Sequence, residues 1–357
     1  MNEISRGPSA GAQKLLEAAR GGDEDAFRRL VESYRNELHA HCYRMLGSVH
    51  DADDALQDTL LRAWRGLAKF ERRGSLRAWL YRIATNVCLD LISRRPKRML
   101  PIDRGPAAGR GDDLADPLTE SAWVEPYADQ QLGLEDAYAA PEARYERRES
   151  VELAFIAALQ HLPATQRAAL ILRDVLGFSA REAADVLETT IPSVNGALRR
   201  ARKAAQERLP DQTQQATLRA LGDERIARLV ERYIEAWERG DVDAILAMLA
   251  DDATFTMPPL PTWYRGREAI AAFLERYALQ DRWRLLPARA NGQLAFGCFA
   301  WDEEQRSYTA LSLDVLTLHG TRAIEVTSFV TPYTRAPARE RFAADVLERF
   351  GLPARLD

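Results

Sequence analysis

Apolar residues recur at helical spacing through most of residues 14–98. Leu76, Trp79, Leu80, Ile83, Ala84, Val87 and Leu91 follow one another at intervals of three and four and share one helix face. In DADDALQDTLLRAW (51–64), Ala52, Ala55, Leu56, Leu60 and Ala63 form such a face, and Asp53, Asp54, Gln57 and Asp58 gather on the other. The periodicity stops over 99–149, where Pro, Gly and Asp are frequent, so this stretch is expected to be a flexible linker. Helical patterning returns over 150–209. Residues 1–13 are small and polar and are expected to form a disordered tail.

Within GFSAREAADVLETTIPSVNGALRRARKAAQERL (177–209), Ser179 followed by Glu182 is a capping box that starts a helix with Ala183, Ala184 and Leu187 facing inward. Glu188-Thr189-Thr190 breaks the pattern, and Pro192 suits the first turn of a second helix, where its missing N–H costs nothing. On that helix Val194, Ala197, Leu198 and Ala201 make the buried face.

Beyond 210 the pattern changes type. Ile226, Leu229, Val230, Tyr233, Ile234 and Trp237 predict an amphipathic helix, and Ile245, Leu246 and Leu249 a second. Short alternating or β-rich runs follow: ATFTM (253–257), LAFGCFAW (294–301), YTALSLDVLTL (308–318) and AIEVTSFV (323–330), with a helix around 267–278 between the first two. Helices followed by strands indicate an α+β domain with a curved antiparallel sheet over 210–335. A tail, 336–357, contains the amphipathic FAADVLERFGLPARL (342–356).

Length and composition narrow the classes. A chain of 357 residues predicts two or three domains. There is no apolar run of about 18 residues, so no membrane span is expected. MNEISRGPSAGAQ at the start has no apolar core and no cleavage pattern of a secretory signal. Cys42, Cys88 and Cys298 are far apart and odd in number, which suits reduced thiols in a cytoplasmic protein. His39, His41 and Cys42 lie close in sequence, but positions two apart on a helix face different ways, so no metal site and no cofactor are expected.

The formal net charge of -4 argues against nucleic-acid binding only if the charge is evenly spread, and it is not. Residues 65–98 carry ten Lys/Arg against two acids, and 195–208 carry five against one. By contrast, 103–149 carry twelve acids against five bases, and 23–58 nine against four. Two basic segments are thus separated by an acidic linker and preceded by an acidic helical surface.

These segments suit particular chemistry. The exposed face of the 191–206 helix would present Asn195, Gly196, Arg199, Arg200, Arg202 and Lys203. Asn can pair with adenine edges and Arg with guanine edges in the major groove, and further Lys and Arg can bind phosphates. Gly196 removes a side chain where a backbone must come close. In KFERRGSLRAWLYRIATNVCLDLISRRPKR (69–98), aromatic residues interleave with basic ones, as single-stranded nucleic acid requires for stacking and phosphate neutralisation. The acidic face of 51–64 cannot be a DNA surface, but it can dock on a basic protein partner.

An acidic docking helix, a basic-aromatic segment, a linker and a helix-turn-helix, in that order, resemble the bacterial sigma-70 family, and within it the small extracytoplasmic-function (group 4) sigma factors. The resemblance covers about 14–98 and 150–209. It implies a region 2 that binds RNA polymerase core, through the β′ clamp helices, with Asp53, Asp54, Gln57 and Asp58. Minus-ten DNA binding would fall to Lys69, Arg72, Arg73, Ser75, Trp79, Arg82 and Asn86. The loop Lys69–Ser75 matches one that captures a flipped base, whose extrusion costs a few kcal/mol that a preformed pocket offsets. Over 150–209 it implies a region 4 reading the minus-thirty-five element through Ser193, Asn195, Gly196, Arg199, Arg200, Arg202 and Lys203. Many relatives carry basic and hydroxyl residues at the positions of Asn195 and Gly196, which bears on the promoter sequence read rather than on the role. The β subunit would be a further contact within the core.

The extension past 210, with LVERYIEAWERGDVDAILAMLADDATFTMPP and YRGREAIAAFL, resembles SnoaL-like domains of the NTF2-like fold, a cone around an apolar pocket. WVEPYAD (123–129) also looks like the linker of sigma factors with such an extension, in which it is thought to modulate activity in place of a separate anti-sigma protein. Candidate pocket walls are Phe255, Met257, Trp263, Tyr264 and Phe299, with Trp283, Trp301 and Phe329 beside them. Asp251, Asp252 and Asp314 lie near predicted strands but form no pair with a catalytic signature.

The expectation is therefore a multidomain, non-enzymatic promoter-specificity factor in the cytoplasm: two all-α sigma domains, a linker and an α+β cone. The cone would act through a small-molecule ligand or an intramolecular contact. Two alternatives remain at this point. A one-component ligand-sensing DNA-binding regulator would have no need of the acidic docking helix. An enzyme of the isomerase or cyclase type would need a carboxylate aimed into the pocket.

Overall fold

A computed structural model describes residues 10–70, 75–118, 123–132, 146–331 and 346–357. They form two compact units, Met1–Arg95 with His161–Glu207, and Pro96–Gln160 with Arg208–Asp357.

The first unit opens with four helices, α1 (Ala10–Arg20), α2 (Glu24–Leu46), α3 (Val49–Gly66) and α4 (Leu76–Arg94). Helix α1 begins inside the stretch expected to be a tail, because Leu16 and Ala19 bury against Leu30, Leu67 and Phe70. Each later start is capped by a short oxygen-bearing side chain that accepts an otherwise orphaned N–H: Asp23 from Ala26 (2.9 Å), Ser48 from Asp51 (3.0 Å) and Ser75 from Ala78 (3.0 Å). Gly47, at φ 69°, ends α2 in the left-handed conformation that suits glycine. Leu38, Tyr43, Met45, Ala52, Leu56, Leu80 and Ala84 are buried where the helices meet. His41 is buried with them, its Nε2 3.0 Å from Thr85 Oγ1, and burial pulls its pKa down to about 3 so that the ring stays neutral.

Helix α5 (Leu153–Gln160) belongs to the second unit. Helix α6 (Ala164–Leu170), a π-helical turn (Ile171–Val175), α7 (Ala180–Val186) and α8 (Ile191–Gln206) return to the first. The capping box closes both ways: Glu182 N donates to Ser179 Oγ (3.2 Å) and Ser179 N to the Glu182 carboxylate (2.8 Å). Glu188 makes the turn at φ 50°, and Thr190 caps α8 with Pro192 in its first turn. Ala183, Ala184, Val194, Ala197, Leu198 and Ala201 are buried.

The second unit carries α9 (Gln214–Leu221), α10 (Asp223–Glu238), α11 (Val242–Ala247), β1 (Leu249–Thr256), β2 (Trp263–Arg265), α12 (Arg267–Arg276), β3 (Trp283–Ala290), β4 (Gln293–Asp302), β5 (Ser307–His319), β6 (Arg322–Val330) and β7 (Arg355–Leu356). The strands lie in the order β2-β1-β6-β5-β4-β3, with β7 on β5. The sheet is mixed rather than wholly antiparallel, since β1 pairs with β6 in parallel through the long crossover between them. Strand β3 escapes an alternation pattern because it holds Pro287, Arg284 and Arg289; it lies at the end of the strand order, where proline is tolerated. Helix α10 packs on the sheet through Tyr233, stacked on Phe296 at 4.4 Å, and Trp237, edge-on to Trp283 at 5.6 Å.

The described parts of the linker pack on this unit. Trp123, Val124, Tyr127 and Leu132 are buried, because WVEPYAD offers apolar side chains among its acids. Asn291, fully buried at φ 55°, accepts from Tyr127 N (2.8 Å) and donates to Val151 O (2.7 Å), and Asp129 accepts from Gly292 N (2.7 Å). Four residues of the tail motif, 342–345, lie outside the described residues; the rest reaches the sheet at Leu352, against Gly297.

Glu152 ties α5 to α9 by accepting from Gln215 N (2.9 Å). Burial pushes its pKa from 4.5 up to about 7, opposed by the N–H groups of Gln214 and Gln215 and reinforced by Glu149. The folded value exceeds the unfolded one, so this contribution to stability is complete below the unfolded pKa and is lost as pH rises through the folded one. Urea unfolding of the full chain near pH 5 and near pH 8 is expected to show lower stability at the higher pH, with Glu152 accounting for about 2–3 kcal/mol. Glu152→Gln should remove that share of the difference; an unchanged difference would show that Glu152 does not titrate in this range.

Candidate functional site

Helix α3 turns Ala52, Ala55 and Leu56 inward and leaves Asp53, Asp54 and Gln57 exposed, with Asp58 half-exposed. Asp53 pairs with His39 (3.1 Å), and Asp58 with Arg62 (2.8 Å), which also reaches Asp90 (3.6 Å). The outward acidic surface is thus one helix face, on which Asp53 meets the His39 ring and Asp58 the Arg62 guanidinium.

Of the basic-aromatic residues, Lys69, Ser75 and Arg82 are exposed, and Asn86 is half-buried. Trp79 lies between, its ring packed on Phe70 (5.0 Å) and beside Gly66, where a Cβ would meet it at 3.3 Å. Arg72 and Arg73 lie outside the described residues. Lys69, Ser75, Trp79 and Arg82 line one cleft of about 870 Å³. Its other side is α7 and the turn after it, with Arg181, Glu182, Asp185 and Glu188, so acids of the helix-turn-helix share a cleft with Lys69 and Arg82.

An arginine makes this joint. Arg77 on α4 lies 4.9 Å from the Tyr81 ring and 4.8 Å from the Phe178 ring and pairs with Glu37 (3.2 Å). Tyr81 meets Phe178 edge-on at 5.3 Å. A second arginine, Arg167 on α6, is buried and donates to Met45 O in the last turn of α2, where helix carbonyls favour a cation, and to Leu162 O (3.3 Å). Burial pulls its pKa down to about 10, so it stays charged. Neither contact was visible in the sequence, because each joins residues far apart in the chain.

On α8 the residues proposed to meet DNA lie opposite the buried stripe. Ser193, Asn195, Arg199, Arg200, Arg202 and Lys203 are exposed and Gly196 is half-buried. A Cβ on Gly196 would meet only the flexible end of Arg200, at 3.5 Å, so the fold itself does not demand glycine there. Arg202 differs from its neighbours: its guanidinium forms a bidentate pair with Asp174 (2.8 and 2.6 Å), which must be given up or shared if it is to meet a phosphate.

In the second unit a cavity of about 300 Å³ opens among Trp237, Phe255, Met257, Phe273, Trp283 and Leu311. Phe255 and Met257 line it as expected. Trp263, Tyr264 and Phe299 do not. Trp263 donates its Nε1–H to Gly105 O (2.9 Å), and Tyr264 stacks on Phe273 from behind the wall (5.0 Å). Phe299 alternates with Cys298, which lines the cavity, so it points to the other sheet face; Phe329 alternates with Ser328 in the same way. Trp301 is also outside the lining. At the cavity's polar end lies Asp314, fully buried, which accepts from Ser328 (2.6 Å), Tyr233 (3.0 Å) and Ser312 (3.2 Å). Burial raises its pKa, and these three hydroxyls, with the Cys298 thiol, oppose the rise. The signal for it in the sequence is a lone acid inside the apolar run YTALSLDVLTL.

No helix among the described residues is long and apolar enough to cross a membrane. The family described as Sigma-70 region 2 matches residues 30–98, Sigma-70, region 4 matches 152–204, and the SnoaL-like domain matches 230–327. The chain is 40% identical to the ECF RNA polymerase sigma factor SigG of Mycobacterium tuberculosis over 85% of this chain and 81% of that one. It is 30% identical to the ECF RNA polymerase sigma factor SigW of Bacillus subtilis over 56% of this chain and 97% of that one. The crystal structure of the M. tuberculosis extracytoplasmic function sigma factor SigJ shares the fold, with a TM-score of 0.53 and 22% identity, over 84% of this chain and 94% of that one.

The joint around Arg77 yields a direct test. Cysteines placed at Arg82 and Asp185, which line the same cleft, should be linked by a short bis-maleimide, since the native cysteines are buried. Arg77→Ala, which removes two cation–π contacts worth roughly 0.5–1 kcal/mol each, should cut the linked fraction severalfold while leaving helix content unchanged. Equal linking with and without Arg77 would show that the joint does not depend on it.

Proposed function

The chain belongs to the extracytoplasmic-function (ECF) RNA polymerase sigma factors, and we propose which of its residues carry that family's work. As a sigma factor it is not an enzyme; it binds RNA polymerase core and promoter DNA and directs transcription initiation. Asp53, Asp54, Gln57 and Asp58 dock on a basic surface of the core, at the β′ clamp, with the β subunit as a further contact. Lys69, Ser75, Trp79, Arg82 and Asn86, with Arg72 and Arg73 between the first two in the chain, bind the minus-ten element. Ser193, Asn195, Gly196, Arg199, Arg200 and Lys203 read or position the minus-thirty-five element. The domain limits follow the same reading: region 2 over 14–98, linker over 99–149, region 4 over 150–209, SnoaL-like domain over 210–335 and tail over 336–357. The site of action is the cytoplasm, where the polymerase is.

The observation that carries this reading is the opposite charge on two exposed helix faces, acidic on α3 and basic on α8. Like charge excludes the first from DNA and recommends the second. A ligand-sensing regulator that works without core has no use for the α3 face.

We also propose that the joint between the two helical bodies is a resting state. DNA elements named for positions minus ten and minus thirty-five lie about 25 base pairs apart, or about 85 Å at roughly 3.4 Å per pair. Two bodies joined through Arg77 at ring-contact distance cannot hold both elements, so the joint must open for initiation.

Run-off transcription with purified core and a promoter library tests the assignment. Full-length protein should give promoter-dependent transcripts. Asp54→Lys with Asp58→Lys should abolish core capture in a pull-down without lowering thermal stability; retained capture would mean that the docking face lies elsewhere. Asn195→Ala and Arg199→Ala should each cost about 1–3 kcal/mol of promoter discrimination while core capture is unchanged. A transcript pattern that neither variant alters would overturn the base-reading role of α8.

A further inference from the structure

Two thiols meet at the seam between the helical bodies of the first unit. Cys42 on α2 and Cys88 on α4 are both fully buried. Other contacts fix the register of these two helices. Tyr81 donates its hydroxyl to Glu37 O (3.4 Å), and His41 Nε2 lies 3.0 Å from Thr85 Oγ1. Cys42 follows His41, and Cys88 stands one turn beyond Thr85, so the same register brings the two thiols into hydrogen-bond contact.

A third helix closes over them. Helix α6 packs on both α2 and α4. Its buried Arg167 donates to Met45 O, three residues past Cys42, and lies near enough to Cys88 for the two to interact electrostatically. Burial and then the Cys42 thiol push the Cys88 thiol up, and the Arg167 guanidinium pulls it down. A thiol kept neutral and away from water is inert, because the thiolate is the nucleophile. Region 4 supplies part of that shelter, and α6 is the wall that leaves when the joint opens. Water then reaches Cys88 while Cys42 stays beside it on the same helical body. Buried cysteines often serve as small apolar fillers. Two in contact beneath a wall that moves have a further chemistry open to them.

With a peroxide that chemistry balances. The Cys88 thiolate attacks one peroxide oxygen and becomes a sulfenic acid; the expelled hydroxide leaves as water with the thiol's proton. The Cys42 sulfur then attacks the sulfenic sulfur, the S–S bond forms, and the expelled hydroxide leaves as water with the second proton. Two sulfurs together lose two electrons, and the peroxide gains them.

We propose that Cys42 and Cys88 are a redox-modification site, shielded by region 4 in the closed state, which peroxide converts to a disulfide between α2 and α4 when the joint opens. The shielding rests on the resting state proposed above; the pair itself does not. Full-length protein treated with hydrogen peroxide, then capped and digested without reduction, should yield a peptide pair joined through Cys42 and Cys88. Dithiothreitol should release it, Cys88→Ser should lack it, and helix content should be unchanged when it forms. Absence of the pair, or its appearance only after helix content is lost, would overturn the site.

The shielding is read with Arg82→Cys and Asp185→Cys across the cleft. Joined by the bis-maleimide, this variant is held closed, and its Cys42–Cys88 disulfide should form severalfold more slowly than in the same variant capped with N-ethylmaleimide. Equal rates would overturn the shielding. Failure of the cleft cysteines to link at all would overturn the resting state, and the shielding with it, while the peroxide result on the unsubstituted chain decides the pair separately.

Discussion

Arg77 and Arg167 tie the two helical bodies of the first unit together beside the Tyr81–Phe178 ring contact, and much of the chain's behaviour follows from those contacts. An apolar joint exposes grease when it opens and resists opening in proportion to the area lost. A guanidinium between rings, or on helix-end carbonyls, exchanges one set of polar partners for water instead. Its removal from water is costly and its partners return most of that cost, so the net free energy of the joint is small. Arg77, between Tyr81, Phe178 and Glu37, is such a joint, and Arg167 on Met45 O is its counterpart nearer the core. The proposed resting state, closed when free and opened on DNA, needs a contact of this kind.

The charge distribution obeys the same logic. Asp185 and Glu188 share a cleft with Lys69 and Arg82. In that position they offer the basic face some of the negative potential that DNA phosphates would later supply. The net charge of -4 conceals this, because it adds segments whose roles require opposite signs.

Most of the local structure was legible from the chain. The Ser179–Glu182 box, Pro192 in the first turn of α8 and the Val194–Ala201 stripe are short-range signals, and each is found where the pattern puts it. The exposure of Asp54, Gln57, Asn195 and Arg199 was legible for the same reason, since a helix face is decided within two turns. What the chain did not disclose depends on contacts distant in sequence. Strand β3 is hidden by Pro287 and its arginines, and only its place at the edge of a sheet explains them. Trp263, Tyr264 and Phe299 look like pocket walls by composition, but the two-residue period of a strand and the course of the linker send them elsewhere. Asp314 stood out only as an acid in an apolar run; its three hydroxyl donors come from β5, β6 and α10. The Arg77 stack unites residues about a hundred positions apart, which no periodicity reports.

The linker shows why a third domain can matter to two that bind DNA. Composition alone, acidic and rich in Pro and Gly, describes a chain that stays solvated and whose reach grows with its length. Trp123, Val124 and Tyr127 contradict that for their own stretch, because burying them on the sheet and completing Asn291's hydrogen bonds recovers more than the entropy lost in ordering a few residues. Reach is then set by how much linker is docked, not by how much exists. Segment 105–118 is the more weakly held part, fastened by scattered hydrogen bonds and by Leu114 and Pro117 over a cavity. How far region 2 and region 4 can separate would then depend on contacts that involve neither of them.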